Sequence, residues 1–111
     1  MLVVEDEPLV RRLLGMVLEE VVTRVDMAAT VAEANRILSS EHIDLVVTDG
    51  TLPDGSGSAL ARTVRATQPE VRLLLVSGAQ EDTHEFDAVL PKPFTREALL
   101  KVVKRLLTPP A

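Results

Sequence analysis

Five short strand-like runs, four of them broken off directly by an acid, a hydroxyl or proline, are separated by stretches with helical spacing. They are Leu2–Val4, Arg24–Ala28 (carrying Val25 and Met27), Leu45–Thr48, Val71–Val76 and Ala88–Leu90. Strand and helix alternating in this way predict a parallel sheet with right-handed crossovers and helices on both faces. After Pro8, residues Leu9, Val10, Leu13, Leu14, Val17, Leu18 and Val21 recur at helical spacing, with Arg11, Arg12, Glu19 and Glu20 off the stripe, so one buried face is expected. Thr30 and Glu33 have capping-box spacing and place a second helix over Val31–Leu38. A third helix is expected over Ser58–Thr67, with Leu60, Ala61 and Val64 inward and Pro69 as its stop. Thr95 caps the last helix, whose buried stripe is Ala98, Leu99, Val102, Val103, Leu106 and Leu107, while Lys101, Lys104 and Arg105 complement its dipole.

Residues 1–111 are read as one domain, because 46% hydrophobic residues suffice for a single core. With 2% aromatics that core must consist of Leu, Val, Ile and Ala. A net charge of -5 argues against a nucleic-acid surface. The lack of cysteine removes disulfide, thiolate-metal and thiol chemistry. No signal peptide and no apolar run of membrane-spanning length occurs, so a cytoplasmic location without membrane insertion is expected.

The chemistry concentrates in Ile43–Gly57, where an apolar run delivers Asp49 to a turn rich in Gly, Pro and Asp. In a parallel sheet, Glu5, Asp6, Asp49, Ser77 and Lys92 all fall at or just beyond the carboxyl ends of strands, where such sheets bind ligands. Carboxylates crowded together repel, and oxygen ligands of this kind suit Mg²⁺, which keeps several waters. A carboxylate can also attack phosphorus to form an aspartyl phosphate. Asp49 is then the nucleophile, with Lys92 and the Ser77 hydroxyl binding phosphoryl oxygens. His42 and His84 are read as isolated and exposed, and Arg11 and Arg12 as a solvated helix face.

These motifs resemble the receiver domains of two-component response regulators across essentially the whole chain. The resemblance rests on Val-Val-Glu-Asp-Glu at the first strand, Asp49 followed by Leu52-Pro53 and Gly57, Ser77 after the fourth strand, and Lys92-Pro93-Phe94 after the fifth. It implies a flavodoxin-like fold with strand order 2-1-3-4-5, phosphorylation of Asp49 by a histidine kinase or phosphotransfer domain, and onward signalling to a further protein. It further implies a Mg²⁺ site of Glu5, Asp6, Asp49 and the Thr51 backbone carbonyl, Ser77 as switch hydroxyl, Lys92 as phosphate-binding lysine, and a cis peptide before Pro93. It implies a domain that catalyses its own phosphorylation and dephosphorylation and is not expected to be a free-standing metabolic enzyme.

Two features depart from the family pattern. Gly78–Ala88 is short and has one large apolar residue, Phe86, so the fourth helix is expected to be shortened or absent. The position three before Lys92, often aromatic in relatives, is Val89, so ordering of Gly78–Ala88 rather than ring rotation is the expected readout. Similar short-helix receivers occur in hybrid histidine kinases or stand alone, and the abrupt start at Met1 fits a domain cut from a longer chain. Thr51 and Ala79 offer no carboxylate or amide to orient a hydrolytic water, so slow autodephosphorylation is expected. Two other readings stand beside this one. A pseudo-receiver would bind a partner without phosphorylation. A haloacid-dehalogenase-like phosphatase is suggested by Asp49-Gly50-Thr51-Leu52, although Val47 occupies its nucleophile position.

Overall fold

The computed structural model describes residues 1–78 and 83–108. In chain order the elements are β1 (Leu2–Val4), α1 (Pro8–Leu18), β2 (Asp26–Ala28), α2 (Val31–Ser40), β3 (Leu45–Asp49), β4 (Thr51–Leu52), β5 (Gly55–Ser56), α3 (Gly57–Thr67), β6 (Arg72–Ser77), β7 (Ala88–Pro91) and α4 (Arg96–Leu107). Five strands form a parallel sheet in the order β2-β1-β3-β6-β7, which is 2-1-3-4-5 once the small β4–β5 hairpin is set aside. That doubly wound, flavodoxin-like order reverses direction between β1 and β3, and ligands bind at such a switch point.

The inner strands are apolar on both sides because each face of the sheet is covered. Leu2, Val4, Val46 and Leu73 pack with Ala34 and Leu38 of α2 and Leu60, Ala61 and Val64 of α3. Val3, Leu45, Val47, Leu74 and Val76 pack on the opposite face with Leu14, Val17 and Leu18 of α1 and Leu99, Leu100 and Val103 of α4. Thr30 caps α2 as the spacing predicts, its hydroxyl accepting from Glu33 N–H at 3.1 Å. Thr95 caps α4 in the same way, accepting from Ala98 N–H at 3.0 Å.

Several details differ from the sequence-based expectations. Helix α1 ends at Leu18, and Leu9 and Leu13 are exposed instead of joining its buried face. They lie roughly 100° or more around the helix from Leu14, beyond the arc the sheet can cover. Helix α3 starts at Gly57, capped by the Ser56 hydroxyl, which accepts from Ala59 N–H at 3.0 Å. Arg11 is no solvated side chain: its Nη1 donates to the Glu5 carbonyl at 2.9 Å and ties α1 to the loop after β1. His42 is exposed but not isolated, meeting Asp44 at 2.9 Å; His84 is exposed.

No helix occurs among the described residues between β6 and β7, as the short Gly78–Ala88 stretch predicts. The expected ordering of that stretch involves residues 79–82, and the expected role of Ala79 concerns one of them; both lie outside the described residues. Its far end is fixed. Phe86 packs against the α2–α3 side of the core, and the Asp87 carboxylate accepts from Leu73 N–H at 2.8 Å and from Arg65 Nη2 at 2.9 Å. Arg65 also donates to the Val71 carbonyl at 3.1 Å and the Glu85 carbonyl at 2.7 Å. Burial works against the charge of Asp87, yet Arg65 and the Leu73 N–H outweigh it and hold its pKa below the ordinary value.

Candidate functional site

Parallel pairing sets the carboxyl ends of β1, β3, β6 and β7 along one edge. Leu2 to Val4 align with Val46 to Thr48, and Asp49 aligns with Val76, so Glu5 follows β1 at the level where β3 ends in Asp49. Glu5, Asp6 and Asp49 each present a carboxylate oxygen, all within 4.8 Å of one another. Lys92, delivered by β7, places its Nζ 3.2 Å from Glu5 Oε1 and 3.5 Å from Asp49 Oδ2.

The Asp49 carboxylate is oriented from its other side by Gly50 N–H, which donates to Oδ1 at 2.7 Å. Oδ2 faces Lys92. Gly57 closes the turn behind it, its N–H donating to the Gly50 carbonyl at 2.9 Å. A Cβ at Gly57 would stand 2.3 Å from the Asp49 carbonyl oxygen, so only glycine allows the helix to start this close to the acid. Asp54, in the β4–β5 turn, accepts from Val31 N–H at 2.8 Å and Ala32 N–H at 3.0 Å and so ties the turn to the start of α2. Those two bonds lower its pKa.

Glu5 is 1% exposed and its Oε2 has no hydrogen-bond partner. Burial first, then the neighbouring Asp49 carboxylate, raises its pKa from 4.5 to about 7, with Lys92 acting in the opposite direction. Burial also works against the charge of Lys92, but Glu5 and Asp49 prevail and raise its pKa. A buried carboxylate with an unused oxygen, crowded by two others, is an electrostatic arrangement that a cation relieves. Three carboxylate oxygens within 4.8 Å of one another fit Mg²⁺, which needs only a couple of carboxylates.

Ser77 ends β6, is buried, and is tied to the next strand by Lys92 N–H donating to its carbonyl at 2.9 Å. Thr51 opens β4 two residues past Asp49, exposed and paired with Ser56. The Lys92–Pro93 peptide is cis, as the resemblance implies. Thus Glu5, Asp6, Asp49 and Lys92 converge, with Ser77 and Thr51 on the adjoining strand end and loop. Sequence reasoning gave no role to the Gly50 N–H, to Arg11 or to Asp54. The Asp54-Gly55 turn signal was visible, but its partner helix is distant in sequence.

Comparison with known proteins agrees with this arrangement. Residues 1–104 match the family model described as response regulator receiver domain. The chain is 34% identical to the sensor kinase CckA of Brucella abortus over 96% of its own length and 12% of that protein's. It is 36% identical to the sensor histidine kinase AtsR of Burkholderia thailandensis, covering 95% of this chain and 19% of AtsR. It therefore spans less than a fifth of these relatives. Among solved structures, the response regulator TrrA of Thermotoga maritima in complex with Mg²⁺-BeF superimposes with a TM-score of 0.89 at 32% identity, covering 96% of each chain. The BeF3-activated DrrB receiver domain gives 0.85 at 29% identity, covering 96% of this chain and 94% of that one. With the five-strand order, the acids at the switch point and the lysine after the last strand already in place, these likenesses show that the chain belongs to the response regulator receiver domain family of two-component signalling.

Proposed function

We propose that Asp49 is the phosphoacceptor and that it receives its phosphoryl group from a phosphohistidine on a histidine kinase or phosphotransfer domain. The observation that carries this reading is the single carboxylate at the end of β3, held by Gly50 N–H on one oxygen and facing Lys92 with the other. In the transfer, the P–N bond to the donor imidazole breaks, a P–O bond to Asp49 Oδ2 forms, and the imidazole nitrogen departs with the electron pair. In this reading Lys92 takes up charge on the transferred group's outer oxygens, and the Ser77 hydroxyl bonds another of them. Glu5, Asp6, Asp49 and the Thr51 carbonyl would hold Mg²⁺, which when bound neutralises phosphoryl charge.

Two alternatives fare less well. The phosphatase reading needs a nucleophile two residues before Asp49, and Val47 there is a core side chain, 1% exposed. A pseudo-receiver has no need of Glu5, Asp49 and Lys92 brought together as they are here. The signal passes to another protein, and the domain acts in the cytoplasm as part of a hybrid kinase or as a stand-alone regulator. Incubation with acetyl phosphate and Mg²⁺, followed by intact mass, tests the proposal. One phosphoryl adduct is expected on the wild type and none on Asp49→Asn, which keeps the shape but not the nucleophile. An adduct persisting on that variant would assign the acceptor elsewhere.

A further inference from the structure

Helices α2, α3 and α4 each begin with a hydroxyl that accepts a hydrogen bond from a backbone N–H of the first turn, whereas α1 begins at Glu7 and Pro8 with no side-chain cap. The joint between β1 and α1 is secured differently. Arg11 sits one turn into the helix, its N–H donating to the Glu7 carbonyl at 2.9 Å, and helical side chains lean toward the N-terminus. Its guanidinium thereby reaches back over the start of α1: Nη1 donates to the Glu5 carbonyl at 2.9 Å and lies 3.5 Å from the Asp6 carbonyl. Glu5 N–H donates in turn to the Ala28 carbonyl at 3.0 Å, beside β1 on β2. Both Arg11 contacts are to carbonyl oxygens, so they grip the backbone of Glu5 and Asp6 and leave the carboxylates to the acidic cluster.

We infer that Arg11 is a positioning residue for the Mg²⁺ ligands Glu5 and Asp6, acting through the peptide units that carry them; this rests on the metal site proposed above. Asp6 lies in a bend beyond the paired residues Leu2–Val4, so the direction of its carboxylate follows the set of the Glu5–Asp6 backbone. Groups that orient metal ligands from behind tune affinity although they never touch the ion. The sign of the effect separates positioning from charge. Mg²⁺ and a guanidinium repel, so a cation that did no more than sit near the site would weaken metal binding, and its removal would tighten it. A group that orients the ligands does the reverse: without it the two acids are free to spread, and the affinity falls.

Calorimetric Mg²⁺ titration of the whole chain tests this with two variants. Arg11→Met keeps the aliphatic stem and removes the donors, and Arg11→Lys keeps the charge and an ammonium donor. Arg11→Met should bind Mg²⁺ about tenfold more weakly, and Arg11→Lys should recover to within about threefold of wild type. Circular dichroism verifies the fold, and because the titration reads folded protein, a loss of stability alone leaves the affinity unchanged. Phosphorylation by acetyl phosphate across a Mg²⁺ series should split the same way: half-saturating Mg²⁺ raised about tenfold in Arg11→Met, with the rate at saturation within about threefold of wild type. Arg11→Met binding Mg²⁺ as tightly as wild type, or more tightly, overturns the inference, and so does Arg11→Lys binding as weakly as Arg11→Met. A wild type that binds no Mg²⁺ overturns it together with the metal site. A wild type that binds Mg²⁺ but takes up no phosphoryl group sinks the phosphoacceptor reading alone, and the titration still decides for or against Arg11.

Discussion

Replacing Glu5 with Gln should stabilise the metal-free protein at alkaline pH while weakening its hold on Mg²⁺. The Glu5 carboxyl is buried with one oxygen unpartnered, and its pKa is raised from 4.5 to about 7, first by burial and then by Asp49. A folded-state value above the unfolded one means that the fold holds the proton more tightly. The stability linked to it is complete below pH 4.5 and is lost as pH rises through about 7. The interval corresponds to roughly 3 kcal/mol, and because Glu5 titrates together with Asp49 and Lys92, about 1–2 kcal/mol is assigned to Glu5 alone. Glutamine keeps the shape of the protonated acid and never ionises. Urea unfolding in the presence of a chelator, at about pH 5 and pH 8, should show near equality at the lower pH and a variant more stable by about 1–2 kcal/mol at the higher. Saturating Mg²⁺ at the higher pH should reverse the order, since the wild type gains binding free energy that the variant lacks. A variant no more stable than wild type in chelator, or a gap independent of pH, would refute the reasoning.

Other perturbations read different parts of the site. Asp6→Ala, removing one carboxylate from a site with few, should weaken Mg²⁺ binding by about tenfold or more in a calorimetric titration; unchanged affinity would take Asp6 out of the metal site. Gly57→Ala drives a Cβ to within 2.3 Å of the Asp49 carbonyl oxygen, so it should cost about 1–3 kcal/mol and slow phosphorylation by acetyl phosphate. An unshifted melting temperature with normal phosphorylation would count against that contact. Asp87→Ala strands Leu73 N–H and Arg65 and should cost about 2 kcal/mol, or roughly 8 °C in melting temperature. Because the folded-state pKa of Asp87 is lowered, its contribution is present at neutral pH and lost as pH falls through that lowered value, so the deficit should fade in acid.

What could be read in the sequence, and what could not, divides along a physical line. The runs Leu2–Val4 and Leu73–Val76 are apolar on both faces because the sheet is covered on both faces, and that signal is local. The acids followed for the same reason, since the residue after a buried parallel strand must lie at the ligand-binding edge. Leu9 and Leu13 were misplaced because helical periodicity shows that residues share a face without saying how wide an arc the sheet will cover. The partners of Asp54, Asp87 and Arg65 are side-chain to backbone contacts across 14 to 23 residues, and no spacing rule announces them.

Those distant contacts bear on the site as much as the local ones do. Lys92 can reach Glu5 and Asp49 only if β7 enters the sheet in the right register, because a slip of one residue would turn every side chain of the strand to the other face. The register is set where the chain re-enters the sheet. Asp87 N–H donates to the Leu73 carbonyl at 2.9 Å while its carboxylate accepts from the Leu73 N–H. Arg65 clamps the same point from α3. From there Ala88 aligns with Leu74 and Pro91 with Ser77, so the next residue, Lys92, emerges at the acidic edge with its N–H on the Ser77 carbonyl. An ion cluster at one end of the sheet thus positions the ammonium at the other, and weakening it should displace Lys92 without touching any residue of the site.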